Sequence, residues 1–340
     1  MPQRKVVVVT GASAGVGRAT AYEFARRGFD LGLISRNAEA LQAVKQEVEG
    51  VGARAVVCSV DIAVSDQLEA AADDIERQLG PIDVWVNNAM LTVVSPVAEL
   101  QAAEIRRVTE VTYLGTVHGT LCALRRMRKR NRGTIVQVGS ALAYRAIPLQ
   151  APYCGAKFAI RGFTDSLRSE LLHERSRIHL TMVQLPAINT PQFDWCKTHM
   201  PNEPQPIAPV FQPEVAARAI VWAAQHKRRE LFVGNSTLKA VIANALAPGL
   251  VDRLLAWIGY TGQQSDKVVE PSREDNLWHT PQLALYRTHG RFDGKAHTQS
   301  EELWMATHRA WLIGGLVIGA LLAWDARAHS RRSPGPGDNT

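Results

Sequence analysis

Seven short apolar runs recur along the first two-thirds of the chain: KVVVVT, DLGLIS, ARAVVCSV, IDVWVN, GTIVQVGS, IHLTMVQL and ELFVG. Several are continuous in Val, Ile and Leu, the pattern of strands covered on both faces. Longer segments of helical periodicity separate them, at 16–28, 38–50, 65–79 and 103–130. Strand and helix in alternation predict an α/β fold: a doubly wound, parallel, seven-stranded sheet with helices on both faces. Residues 1–235 account for this unit. With 46% hydrophobic and 21% charged residues, the chain has the material for such a core.

The first strand runs into TGASAGVG, and a helical pattern follows. In the first βα turn, Gly11 permits a tight bend, Gly15 lets the backbone approach a pyrophosphate, and Gly17 permits close helix–sheet contact. The helix N-terminus beyond offers N–H groups to phosphate. The second strand ends in Ser35 and Arg36, where a fold preferring a free ribose 2′-hydroxyl carries an acid. A hydroxyl and a guanidinium suit a 2′-phosphate, so the expected cofactor is NADP(H). The net charge of +7 is consistent with an anionic partner. Farther on, Tyr153 and Lys157 stand four residues apart, on one helical face. A neighbouring ammonium favours the phenolate, which would make Tyr153 a proton donor or acceptor near neutral pH.

These motifs, in this order, resemble the short-chain dehydrogenase/reductase family. The resemblance covers residues 4 to about 235 and rests on TGASAGVG, Asp61 after the third strand, NNA at 87–89, Ser140, Tyr153 and Lys157. It implies a Rossmann fold and hydride transfer between the cofactor and a carbonyl or alcohol. Ser140 would hydrogen-bond the substrate oxygen, Tyr153 would exchange its proton, and Lys157 would hold the nicotinamide ribose. Asp61, with Ile62 beside it, would meet the adenine. Asn88 and Ala89 would line the cofactor cleft, and Asn87 would brace the sheet. Ser13, Ala14 and Val16 would complete the glycine turn. Pro186, Ile188 and Thr190 would reach the nicotinamide end. The family often dimerises through the helices holding 103–130 and 150–175, so a homodimer is expected.

The chain departs from the family pattern in three places. Met90 replaces a glycine after NNA and reshapes the pocket. Thr112 stands where an asparagine anchors a relay water, and is taken as the fourth catalytic position. PAINT, 186–190, has Ala187 for a glycine and brings Thr190 one residue early. Met90 and Thr112 motivate the alternative function, a cofactor-binding redox sensor or scaffold without turnover. The long segment 191–212 carries Phe193, Trp195 and Phe211, which suggest an apolar lid. Met90, Leu142, Phe193 and Trp195 are the expected substrate-pocket residues, and the expected substrate is a small apolar carbonyl or alcohol.

Beyond residue 235 the pattern changes. Residues 236–305 read as an apolar helix broken at APG, 247–249, and then an irregular polar stretch. Residues 306–329 hold the apolar segment AWLIGGLVIGALLAW at 310–324, and 330–340 read as a disordered tail. Fifteen residues reach about 22 Å as a helix, short of a bilayer core of about 30 Å. Trp311 and Trp324 near its ends, Gly315 and Gly319 within it, and arginines on both flanks suit a segment dipping into one leaflet. A buried terminal helix is the alternative. The basic run RRMRKRNR, 125–132, reads as a solvated helix end, or else as a membrane-facing patch.

Four dispersed cysteines and a start that enters a strand directly point to a reducing, cytoplasmic setting, with membrane association through 310–324. No metal-ligand spacing and no nucleic-acid motif is found, so neither a metal nor a nucleic-acid partner is expected.

Overall fold

The computed structural model describes residues 4–309 and Trp324. Seven parallel strands form the central sheet: β1 (Val6–Thr10), β2 (Asp30–Ser35), β3 (Ala55–Ser59), β4 (Ile82–Asn87), β5 (Gly133–Ser140), β6 (Ile178–Leu185) and β7 (Glu230–Phe232). Their order across the sheet is 7-6-5-4-1-2-3, which is the doubly wound sheet expected from the sequence. The order reverses between β1 and β4, where such folds open a crevice at the carboxyl ends of the strands.

Alternate side chains of β1 feed two cores. Val7 and Val9 join Phe24 of α1 (Gly15–Arg26), Leu41 and Val44 of α2 (Ala38–Gly50), and Ile220 of Pro213–Gln225. Val6 and Val8 join Ile75 of α3 (Ser65–Leu79) and Met127 of Gly115–Arg128. Each such valine, fully buried, contributes about 1.5–3 kcal/mol. That is why the strand reads as an unbroken apolar run.

The segment 103–130 is not one helix. It divides into α4 (Ala102–Val108), a wider π-helical stretch at Thr109–Leu114, and α5 (Gly115–Arg128). The basic run ending α5 is largely engaged within the fold. Arg125 and Arg126 pair with Glu69, Arg126 also with Asp73, and Arg128 with Glu174. α6 (Ala151–His173) carries the Tyr-x-x-x-Lys element.

The extension folds back onto this unit. The helix expected over 236–258 is divided at the APG triplet into α8 (Asn235–Leu246) and α9 (Pro248–Leu254), α7 being Pro213–Gln225. The polar stretch after it is stitched to the long loop. Gln264–Val268 pairs antiparallel with Asn202–Pro204, and Ala296–His297 pairs with Val210–Phe211. A short helix, Glu301–Thr307, follows. Apart from Trp324, the apolar segment 310–324 and the tail lie outside the described residues. Among the described residues, no helix is long and apolar enough to cross a membrane.

Candidate active site

The glycine turn is built from two strand ends. Thr10 Oγ1 accepts hydrogen bonds from the Asn88 and Ala89 amides at 3.0 and 3.1 Å, and Asn88 Nδ2 donates to the Thr10 carbonyl. These bonds lock the ends of β1 and β4 side by side. Gly11 then turns with φ at +67°, a region that favours glycine. A Cβ on Gly17 would lie 2.0 Å from the Gly11 carbonyl oxygen, so the start of α1 can pass this close only as glycine. Ala14, the N-cap of α1, offers no side-chain acceptor; the Gly15 amide donates to the Arg287 carbonyl at 3.0 Å, and the first-turn amides after it are left for other partners. Asn87 braces the sheet from behind, bonded to Thr120, Gln137 and Trp85.

At the end of β2, Ser35 Oγ is buried without a hydrogen-bond partner among the described residues. An orphaned hydroxyl on a cleft wall is what a ribose or its phosphate would satisfy. The glycine turn, the first-turn amides beyond Gly15 and Ser35 thus fit a dinucleotide. Arg36 is already engaged. Its Nη2 donates to the Asn276 carbonyl at 2.5 Å, and its Nη1 to those of Trp278 and Leu277 at 3.3 and 3.5 Å. Burial, and then the nearby Arg107, lower the guanidinium below its ordinary value. Asp61 accepts from Arg107 and from the Ala63 amide.

Ser140 closes β5, and α6 presents Tyr153 and Lys157 opposite it. The Lys157 ammonium donates to the Val138 carbonyl at 2.7 Å and lies 5.4 Å from the Tyr153 ring centroid. Lys157 is buried, and burial lowers its ammonium to about 8. Burial raises the Tyr153 phenol above its ordinary value, and a hydrogen bond with Ser140 pulls it partly back. This is the reverse of the direction expected from the neighbouring lysine alone. In a dry cleft, the cost of burying a phenolate outweighs the pull of the neighbouring ammonium.

One cavity of about 430 Å³ joins these groups. Its walls include Gly11, Ser13, Ala14, Gly15, Val16, Gly17, Ser35, Arg36, Asp61, Ile62, Asn88 and Ala89 at the dinucleotide end. Ser140, Tyr153, Lys157, Pro186, Ile188 and Thr190 follow, with Met90, Leu142, Phe193 and Trp195 farther along. Two expectations fail. Thr112 is fully buried away from the cavity. Its hydroxyl donates to the Leu91 carbonyl and accepts from the Leu91 amide, so it pins the π-helical stretch and cannot serve as a relay group. Phe211 is a core residue on the strand beside Ile188, not part of a lid. The sequence also gave no sign of Ile207, Ala240 and Leu255 on the substrate side, or of Asn276 and Tyr286 beside the dinucleotide end. Their long separation from the motifs leaves no local signal.

The model of the short chain dehydrogenase family matches residues 5–199. An uncharacterized oxidoreductase of Bacillus subtilis, YxnA, is 28% identical over 96% of this chain and 91% of its own. An alcohol dehydrogenase from Thermococcus sibiricus, solved with 5-hydroxy-NADP, superposes with a TM-score of 0.58 at 24% identity. The match covers 68% of this chain and 96% of that one. A short chain dehydrogenase from Mycobacterium paratuberculosis, bound to NAD, superposes at 0.60 with 22% identity, over 68% and 97%. The family match spans the glycine turn, the Ser140–Tyr153–Lys157 group and more than half of the chain: this protein is an oxidoreductase of the short chain dehydrogenase family.

Proposed function

We propose that the protein reduces the carbonyl of an apolar substrate, or oxidises the matching alcohol, with NADP(H). One observation carries this reading: Ser140, Tyr153 and Lys157 share a single cavity with the glycine turn. When bound, the dinucleotide supplies or accepts the hydride. Ser140 Oγ donates a hydrogen bond to the substrate oxygen. Tyr153 Oη, protonated at neutral pH as an ordinary phenol is and held more firmly so by burial, gives that oxygen its proton in the reductive direction. Two donors converging on one oxygen offset the negative charge that builds there. Lys157, anchored on Val138, has further N–H donors for a ribose hydroxyl.

The absence of an acid at the end of β2, the orphaned Ser35 hydroxyl and Arg36 favour a 2′-phosphate. The 5-hydroxy-NADP in the Thermococcus enzyme agrees with this, and NAD in the Mycobacterium enzyme is the competing choice. Ile207, Ala240, Leu255 and Met90 give the substrate end an apolar lining. The decisive experiment follows NADPH consumption over a panel of ketones, aldehydes and lipid carbonyls. Turnover on an apolar member supports the reading. Tight dinucleotide binding without turnover on any of them favours a sensor or scaffold.

We also propose a lipid surface as the source of substrate, reached through α8 and α9. Leu246, Leu250 and Leu254 stand exposed on these helices, and Trp257 just beyond them at 82%. Ala240 of α8 and Leu255, the residue after α9, line the cavity, so the apolar exterior is continuous with the apolar pocket.

A further inference from the structure

We infer that residues 275–290 of the extension form the outer wall of the adenosine end of the dinucleotide site, and that Arg36 is the clasp that holds this wall shut. The inference rests on the dinucleotide reading above and adds residues outside the stretch matched by the family model, which ends at 199.

The wall is fastened at both ends of the cleft, mainly through its backbone. At the β2 end, the Asn276, Leu277 and Trp278 carbonyls surround the Arg36 guanidinium. Arg107 Nε donates to the Leu277 carbonyl at 3.1 Å while its Nη2 holds Asp61. The Leu277 side chain is fully buried in the core beneath. At the glycine turn, the Gly15 amide donates to the Arg287 carbonyl at 3.0 Å, and Arg18 Nη1 donates to the Tyr286 carbonyl at 2.8 Å. The Tyr286 ring lies 5.0 Å from that of Trp195, which ties the wall to the substrate loop. Gly290 then donates to the Asn189 carbonyl at 3.2 Å.

Two consequences follow from this geometry. Asn276 and Tyr286 line the same cavity as Ser35 and Gly15, so an adenosine seated there has protein chain on its outer side as well. The carbonyl oxygens around Arg36 are dipole ends of the same sign as a phosphate. A 2′-phosphate and the wall therefore compete for one guanidinium, and the wall tunes how strongly that phosphate is preferred. Release of the adenosine half requires the clasp to open.

The test uses the full-length protein and four probes: NADPH, 2′-phospho-ADP-ribose, ADP-ribose and nicotinamide mononucleotide. Leu277→Ala combined with Tyr286→Ala should release the first three at least tenfold faster and leave nicotinamide mononucleotide unchanged. Hydrogen–deuterium exchange on the unaltered protein is the second measurement, should the double variant not fold. Amides of 276–287 should gain protection with 2′-phospho-ADP-ribose and not with nicotinamide mononucleotide. Unchanged release, or unchanged exchange, in a protein that does bind NADPH overturns the wall alone. No binding of any dinucleotide to the unaltered protein overturns the cofactor reading together with it.

Discussion

The Lys157 ammonium lies 5.4 Å from the centre of the Tyr153 ring, and burial drives both groups toward neutrality, the lysine to about 8 and the phenol upward. Each group therefore sits nearer to its uncharged form than it would in water, although the lysine still carries most of its charge at pH 7.

A depressed lysine has a stability signature. Between about 8 and its unfolded value of 10.5, the unfolded chain binds the extra proton, so this group makes stability rise with pH across that window. Holding the ammonium charged at pH 7 costs on the order of 3 kcal/mol. Lys157→Met should therefore raise the melting temperature at pH 7, and the gain should shrink toward pH 10.5. A variant that melts lower than wild type at pH 7 and gains as pH rises would contradict this.

Tyr153→Phe removes the proton and little volume. Turnover should fall by about 10²–10⁴-fold, while the NADPH dissociation constant, measured by fluorescence titration, stays within a few-fold. Residual activity above a tenth of wild type would reassign the proton donor.

Arg36→Asp places a carboxylate where the guanidinium stands. The ratio of NADPH to NADH affinity should fall more than tenfold, and because Arg36 also holds the wall, NADH should weaken too, but less. An unchanged ratio would refute a role for Arg36 at the 2′-phosphate.

Thr112→Val breaks two bonds to Leu91 and leaves a buried amide and carbonyl without partners. Chemical denaturation should show a loss of about 1–3 kcal/mol. The pH profile of turnover should keep its shape, because the hydroxyl does not face the cavity. A shifted profile at unchanged stability would restore the relay role.

Full-length protein should float with anionic liposomes, and Leu250→Ser with Trp257→Ser should weaken that binding several-fold. Equal flotation of both would move the contact elsewhere, for example to residues 310–324.

The seven strands were legible because a sheet covered on both faces needs unbroken Val, Ile and Leu, and β1 supplies one valine after another to alternate cores. The glycine turn was legible for a steric reason: at Gly17 no Cβ fits. Thr112 was misread because its sequence position does not say which way a hydroxyl faces. Phe211 was misread because an aromatic in a loop can serve core or lid equally well. The wall at 275–290 was invisible for a deeper reason. It is held chiefly by backbone carbonyls, which every residue carries, and so no side-chain pattern announces it.

Arg36 and Asn276 are 240 residues apart in the chain. At roughly 5–20 residues per second, a ribosome needs about 12–48 s to travel that distance. A nascent chain therefore owns Ser140, Tyr153, Lys157 and the glycine turn before the clasp can close. The last strand of the sheet ends at Phe232, 44 residues before Asn276, so for about 2–9 s the growing polypeptide is a domain with an unguarded nucleotide groove. A message cut short between residues 235 and 275 would leave that half-built state as the permanent product.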